Sequence, residues 1–239
     1  MTLKEGDSFP LNCGSIATVI RYVDSYNVHI TTSTGYSRIV EAGCLRKGKV
    51  NDLLSKNIYG IGFIGVGSAT PKDPSYDRWK NIMFRCYSGS LKSYEGVSVC
   101  EEWHDFQSFS KWFKDNNIEG FEIDKDLKLY NNKIYSPDTC LFIPKRINKF
   151  FIKRASTYGL PHGVNYCGDG YASKIRAGSK TVRTVKEAQI DYWDQKRKEM
   201  DCLIAEFPDF KGLIAKSFQS FINDKFTIHN IQTTEGSKP

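Results

Sequence analysis

Long apolar runs are missing from this sequence. No stretch approaches the roughly 18 apolar residues needed to cross a bilayer as a helix, and the start, Met1-Thr2-Leu3-Lys4-Glu5-Gly6-Asp7, has no apolar core of a signal peptide. A membrane partner and an export route are therefore not expected, and the cytoplasm of a bacterial host cell is the expected location. No Cys-x-x-Cys pair occurs among the seven cysteines (13, 44, 86, 100, 140, 167 and 202). That argues against a zinc ribbon or a redox pair and for separate thiols in a reducing compartment. A Gly-Lys-Ser/Thr phosphate loop is also missing. The glycines of Tyr59-Gly60-Ile61-Gly62-Phe63-Ile64-Gly65-Val66-Gly67 are followed by Pro71 and Pro74, not by the helix that a nucleotide cradle needs. No small-molecule substrate is implied.

What is present is a chain of 239 residues, 40% hydrophobic and 13% aromatic, so folded cores are expected and wholesale disorder is not. The formal charge is +7, which favours a polyanionic partner such as double-stranded DNA. Lys and Arg against Asp and Glu give +2 for residues 1–66, +3 for 67–160, +3 for 161–199 and −1 for 200–239. The short block 161–199 is the most concentrated in positive charge.

Periodicity divides the chain. Ser15–Val23, Tyr26–Thr32 and Tyr36–Ala42 alternate as half-buried strands, broken at Asp24-Ser25 and Ser33-Thr34-Gly35. They predict a small β-barrel-like module over 1–58, and 59–75 reads as a Gly/Pro linker or an extended segment crossing a surface. From Ser75 the spacing turns helical, with Asp73 or Ser75 as cap and Trp79, Ile82, Met83 and Cys86 on one face. A second helix is expected over His104–Lys114, its stripe Phe106, Phe109, Trp112 and Phe113 read as core, and His104 as structural. Strands are expected at Phe121–Ile123 and Cys140–Ile143. Pro144 then suits the first turn of a helix running to about Lys153, which carries Lys145, Arg146, Lys149, Lys153 and Arg154 without an acid.

Residues 161–199 read as three strands and a helix. Gly168-Asp169-Gly170 is a hairpin signal between His162–Cys167 and Tyr171–Arg176. A short third strand, Lys180–Arg183, precedes an amphipathic helix from Val185, and a last helix is expected over Phe210–Phe221 before a polar tail. The fold class expected is α+β, in five segments: 1–58, 59–75, 76–155, 156–200 and 201–239.

The segment Ile123-Asp124-Lys125-Asp126-Leu127, with Tyr135-Ser136-Pro137-Asp138-Thr139-Cys140-Leu141-Phe142-Ile143-Pro144-Lys145-Arg146-Ile147-Asn148, resembles the HNH endonuclease motif. The runs Tyr76–Tyr87 and Val97–Phe109 are similar to HNH-type proteins of tailed phages, many of them homing endonucleases or their relatives. The resemblance covers roughly residues 1–155. It implies a ββα-metal domain over 76–155 in which Asp124 and Asn148 hold one Mg²⁺ or Mn²⁺ ion against a scissile phosphate, giving metal-dependent nicking of double-stranded DNA. Two positions depart from the pattern. Lys125 stands where the family has its histidine base, and Thr139 where it has the asparagine that ties the loop. A lysine, with an ordinary pKa near ~10.4, is a poor base, so Lys125 is expected at the phosphate, or the site is dead.

The block with Gly163-Val164, Tyr171–Arg176, Gly178 and Thr184–Tyr192 resembles the AP2 DNA-binding domain. That resemblance implies a three-stranded sheet in the major groove, with Lys174, Arg176, Lys180 and Arg183 reaching DNA beside Lys145, Arg146, Lys149, Lys153 and Arg154. Two further expectations stand beside an endonuclease: a DNA-binding protein that has lost catalysis, and a phage protein recruited to bind a host protein.

Overall fold

The protein is described by a computed structural model covering residues 2–152, 159–173 and 180–229. It mixes helix and sheet, an α+β chain. No helix among the described residues is long and apolar enough to cross a membrane. The chain forms two compact units, Met1–Asn117 with Lys133–Asp138, and Ile118–Asn132 with Thr139–Pro239.

The first unit begins with a four-stranded antiparallel meander, β1 (Ser8–Pro10), β2 (Ile16–Tyr22), β3 (Val28–Thr32) and β4 (Ser37–Val40), in spatial order β1-β2-β3-β4. Alternation sends Ala17, Val19, Val28, Ile30 and Val40 inward, where Leu3, Leu11, Leu45 and Val50 complete a core. Ile16, Ile20 and Ile39 stay exposed. The barrel-like module expected over 1–58 is an open sheet among the described residues, because β1 pairs only with β2 and β4 only with β3. A short helix, α1 (Ala42–Arg46), covers the inner face with Ala42 and Leu45 buried.

The Gly/Pro segment 59–75 is a packed strap, not a free linker. Phe63 donates its amide to His104 O at 2.9 Å and accepts from Phe106 N at 3.0 Å. Gln107 holds the strap further on: its Nε2 donates to Ile64 O and Ala69 O, each at 2.9 Å, and its Oε1 accepts from Ala69 N at 2.9 Å. The glycines serve this packing. A Cβ on Gly62 would lie 2.9 Å from the Trp79 ring, and Gly65, at φ +77°, rests against the Asp105 carboxylate.

Behind the strap lie α2 (Pro74–Tyr87), β5 (Ser98–Val99) and α3 (Phe106–Asn116). Trp79, Trp103, Phe106 and Phe109 are fully buried, and Trp79 Nε1 donates to Trp103 O at 2.7 Å. The aromatic stripe is core, as its spacing predicts. His104 belongs to the 3-10 turn Glu101–His104 that precedes α3, and its Nε2 lies 3.1 Å from Val99 O and 3.4 Å from Tyr87 Oη.

The second unit opens with β6 (Phe121–Asp124). The chain then returns to the first unit for β7 (Ile134–Tyr135), parallel to β5 there, and the second unit resumes with β8 (Leu141–Pro144) and α4 (Lys145–Phe150). β6 and β8 are antiparallel, with Glu122 opposite Ile143 and Asp124 opposite Leu141. A hairpin follows, β9 (Val164–Cys167) and β10 (Gly170–Ser173), then α5 (Val185–Glu206) and α6 (Lys211–His229). The third strand expected at Lys180–Arg183 is a single bridge, Val182 to Tyr171, with reciprocal bonds of 2.8 and 2.9 Å.

Two expected boundaries do not match the compact units. The segment 76–155 is divided between them. The break at 200/201 falls inside α5, which continues unbroken to Glu206. Leu127, Ile143, Ile147 and Phe150 share one core with Tyr192, Trp193, Leu203, Ile214, Phe218 and Phe221. Strand, short helix and the two long helices are therefore one packed body. α6 also runs past Phe221, where a polar tail was expected.

Candidate nucleic-acid interface and ββα centre

Asp124 ends β6, and its side chain turns back to cap the loop that follows. Its Oδ1 accepts from Asp126 N at 2.9 Å and Leu127 N at 2.6 Å. Burial pushes the carboxyl above the ordinary aspartate range, opposed by those two amides. Lys125 is a buried lysine, only 8% exposed, and its Nζ is enclosed on several sides. It donates to both carboxylate oxygens of Asp126 at 2.8 Å and to Asn132 O at 2.7 Å. Asn132 returns the bond, Nδ2 to Lys125 O at 3.0 Å. The loop 125–132 is thus closed by a reciprocal pair, with Asn131 at φ +60° turning the chain.

Asn148 lies on α4, half-buried, and its Nδ2 donates to Glu122 Oε2 at 2.8 Å. Glu122 also faces Lys145, whose Nζ is 4.0 Å away. Glu122 and Asp124 are two apart on one strand and so project from the same face. The structure therefore brings Asn148 to Glu122, a residue that sequence reasoning passed over. Its signal was available in that i, i+2 relation to Asp124. Asn132 was passed over too, and nothing local marks it, since its role arises only when the loop closes.

The donors available to a hard cation are few. Asp124 already uses Oδ1 on two amides, while Glu122 and the Asn148 carboxamide oxygen complete the oxygens on that side. Among the described residues, no three His, Cys, Asp or Glu side chains converge as a cation-binding group. The set is poor beside the several oxygens that Mg²⁺ requires from protein, phosphate and water.

The basic residues fare unevenly. Lys145, Arg146 and Lys149 are exposed on α4, but Lys145 faces Glu122 and Arg146 pairs with Glu206, leaving Lys149 without a carboxylate partner among the described residues. α4 ends at Phe150. Lys153 and Arg154, like Lys174 and Arg176, lie outside the described residues.

In the sheet, Val164, Tyr166, Tyr171 and Val182 turn towards Ala188 and Val185 of α5. Alternation then places Asn165 and Ala172 on the opposite face, while Arg183 lies in the bend before α5, exposed, with its charge acting on Glu187 of that helix. Lys180 is exposed and sits closer to the helix. Asp191 on α5 is held below the usual aspartate range first by the Ser173 hydroxyl, then by Gln195, with Lys198 and Lys180 adding to the effect. Of the four sheet cations expected at DNA, Lys180 and Arg183 are among the described residues, and both are exposed.

No family model, no curated protein and no solved structure matches the chain.

Proposed function

We propose that the chain is a double-stranded DNA-binding protein built on an HNH-like strand–loop–strand–helix frame, in which Lys125 closes a loop instead of serving chemistry. The fixation of Lys125 by Asp126 and Asn132 carries this reading. A general base must reach the proton it removes and release it again, and an ammonium buried in an ion pair and on a carbonyl does neither. Phosphate contact falls to exposed cations instead, Lys149 on α4 and Arg183 in the bend before α5, with Lys145, Arg146, Lys153, Arg154, Lys174, Arg176 and Lys180 as the wider basic set.

One observation favours metal-dependent nicking as a second function. Glu122 and Asp124 share a strand face, and Asn148 reaches that face from α4. Asp124, Asn148 and Glu122 would then hold one Mg²⁺ or Mn²⁺ ion, which would stabilise charge at the leaving oxygen.

The test is incubation of the full chain with supercoiled plasmid and with phage DNA in Mg²⁺ or Mn²⁺, alongside duplex binding by fluorescence anisotropy. The expected result is binding that weakens with salt, without nicking. Nicking that needs metal and disappears in Asp124→Ala would replace this reading with the second. Absence of both binding and cleavage would leave a host protein as the partner and overturn the DNA reading.

A further inference from the structure

Tyr59 carries an aromatic ring at a backbone position that suits glycine, asparagine or aspartate. Tyr59 at φ +53° and Gly60 at φ +74° turn the strap back on itself, and Ile58 and Gly62 close the turn with reciprocal backbone bonds of 3.0 and 2.9 Å. Left-handed backbone is strained for a bulky side chain. The ring does not enter a core in compensation. It stays 38% exposed and packs on Phe84 of α2, itself 37% exposed, with centroids 5.9 Å apart and planes at 58°. The fold therefore holds two rings side by side at the surface, at a turn whose backbone would be easier without one of them.

The surroundings of the two rings are basic. Of the exposed side chains of α2, Arg78, Lys80 and Arg85 are cationic and Asp77 alone is acidic. Asp77 sits in the first turn, where a carboxylate suits the helix end, about two turns from Phe84. Lys80 is one turn before Phe84 and so its neighbour on the helix surface, and Arg85 follows Phe84 directly. Lys80 Nζ lies 5.9 Å from the centre of the Tyr76 ring. Arg85 leans over the Tyr94 ring, 5.8 Å from its centre, and bonds to the hydroxyls of Tyr94 and Tyr135, neutral partners that leave its charge in place. Among the described residues, none of the three cations pairs with a carboxylate.

We infer that Tyr59 and Phe84 form a platform on which an unpaired base of single-stranded DNA stacks, with Lys80 and Arg85 holding the phosphates beside it. Every base has a π-face, so such a platform tolerates any sequence, while cations alongside it follow the backbone. A duplex keeps its bases stacked on one another and has no free face to offer. A protein partner would cover the rings as well, but only an acidic one would answer the cations, whereas every segment of a single strand brings both a flat base and a phosphate. The platform uses none of Lys149, Arg183, Asp124 or Asn148. It rests on the DNA-binding reading only in the choice of DNA over RNA.

The experiment is fluorescence anisotropy of the full chain with a labelled single DNA strand of mixed sequence, the same strand with abasic sugars throughout, its RNA counterpart and the duplex. The series is repeated on Tyr59→Asn, Phe84→Gln and Lys80→Gln. Asparagine suits a left-handed turn, so Tyr59→Asn is expected to melt no lower than wild type while binding the single strand about tenfold more weakly. Phe84→Gln is expected to lose as much, and Lys80→Gln to lower the salt slope on the single strand by about 0.7. The abasic strand is expected to bind weakly, and equally to wild type and both ring variants, and duplex affinity to be the same in all three. Ring variants that hold the single strand like wild type, or a wild type that does not distinguish the ordinary strand from the abasic one, overturn the platform. RNA bound more tightly than DNA overturns the choice of strand. A wild type that binds no single strand overturns the site and leaves the rings to a protein partner. Duplex binding is read in the same series, so failure of the platform is distinguishable from failure of the DNA reading.

Discussion

Lys125 shows at the level of one residue why an aligned position does not carry its chemistry with it. The side chain is buried, and buried charges persist only when paired and hydrogen-bonded. Asp126 and the Asn132 carbonyl meet that need. Lys125→Met keeps the volume and removes the donors, leaving the carbonyl unpaired. It is expected to lower stability by about 2 kcal/mol, read as an earlier midpoint in urea with an unchanged slope. An unaltered midpoint would mean that the loop is not held by this lysine. Asp52, in the β meander, makes the opposite kind of contribution. Burial works to raise its pKa, but the hydroxyls of Thr34, Ser15 and Thr32 and the Leu54 amide outweigh it, so the carboxyl titrates below the ordinary range. A folded-state pKa lowered in this way adds stability above the unfolded value, near ~3.9, and that stability is lost as pH falls through the folded value. Asp52→Asn is therefore expected to be less stable than wild type at pH 7, and the gap is expected to narrow as the pH falls below about 4. Parallel acid titrations of the two proteins would show this, and a pH-independent gap would count against it.

At the scale of elements, what was legible followed from periodicity. The strands at 16–22, 28–32 and 37–40 sit inside the alternating stretches, and the Trp79 and Phe106 helices bury the faces their spacing marks. The β6–loop–β8–α4 order was also readable, because short apolar strands flank the loop and Pro144 sets the helix start. Three features were not. β1 is three residues long and ends in proline, too little for a pattern. The strap 59–75 looks like a linker because its glycines are chosen for close approach to Trp79 and Asp105, a tertiary reason invisible in the chain. The centre was half legible: Asp124 falls at a strand end as expected, but Asn148 answers to Glu122, and only folding decides that. Within α5 the capping box is explicit. Thr184 accepts from Glu187 N at 3.2 Å, and Glu187 accepts from Thr184 N at 3.1 Å. Thr184→Ala is expected to cost about 1 kcal/mol, seen as a lower Tm. Gly163 should be more sensitive. It sits at φ +83°, and a Cβ there would press into the Tyr192 ring on α5. Gly163→Ala combines a disfavoured backbone with a clash, so a loss of about 2 kcal/mol or more is expected. A variant as stable as wild type would show that the hairpin and α5 are not packed as described.

For the whole molecule, the formal charge of +7 is less telling than where cations remain uncommitted. On α4, two of three described cations face acids of their own unit, while Lys149 does not. Arg183, exposed in the bend before α5, already acts on Glu187 of that helix. A duplex that met all nine candidate cations at once would release about as many counterions, and its affinity would fall steeply with salt, since each phosphate contact contributes about 0.9 to the logarithmic slope. If Lys145 and Arg146 stay with their carboxylates, the slope must be shallower, near what the remaining contacts supply. Lys149→Ala is then expected to weaken duplex binding several-fold and to reduce the slope by about one, uniformly across sequences, because a phosphate contact carries no base information. Arg146→Ala is expected to change binding little and to act mainly through Glu206, whose partner it removes, an exposed pair contributing under about 1 kcal/mol to stability. Anisotropy titrations of both variants on two unrelated duplexes, over a series of salt concentrations, separate the cases. Equal losses for Lys149→Ala and Arg146→Ala would mean that DNA pulls Arg146 from Glu206 on binding. A loss on one duplex alone would make Lys149 a reader of bases.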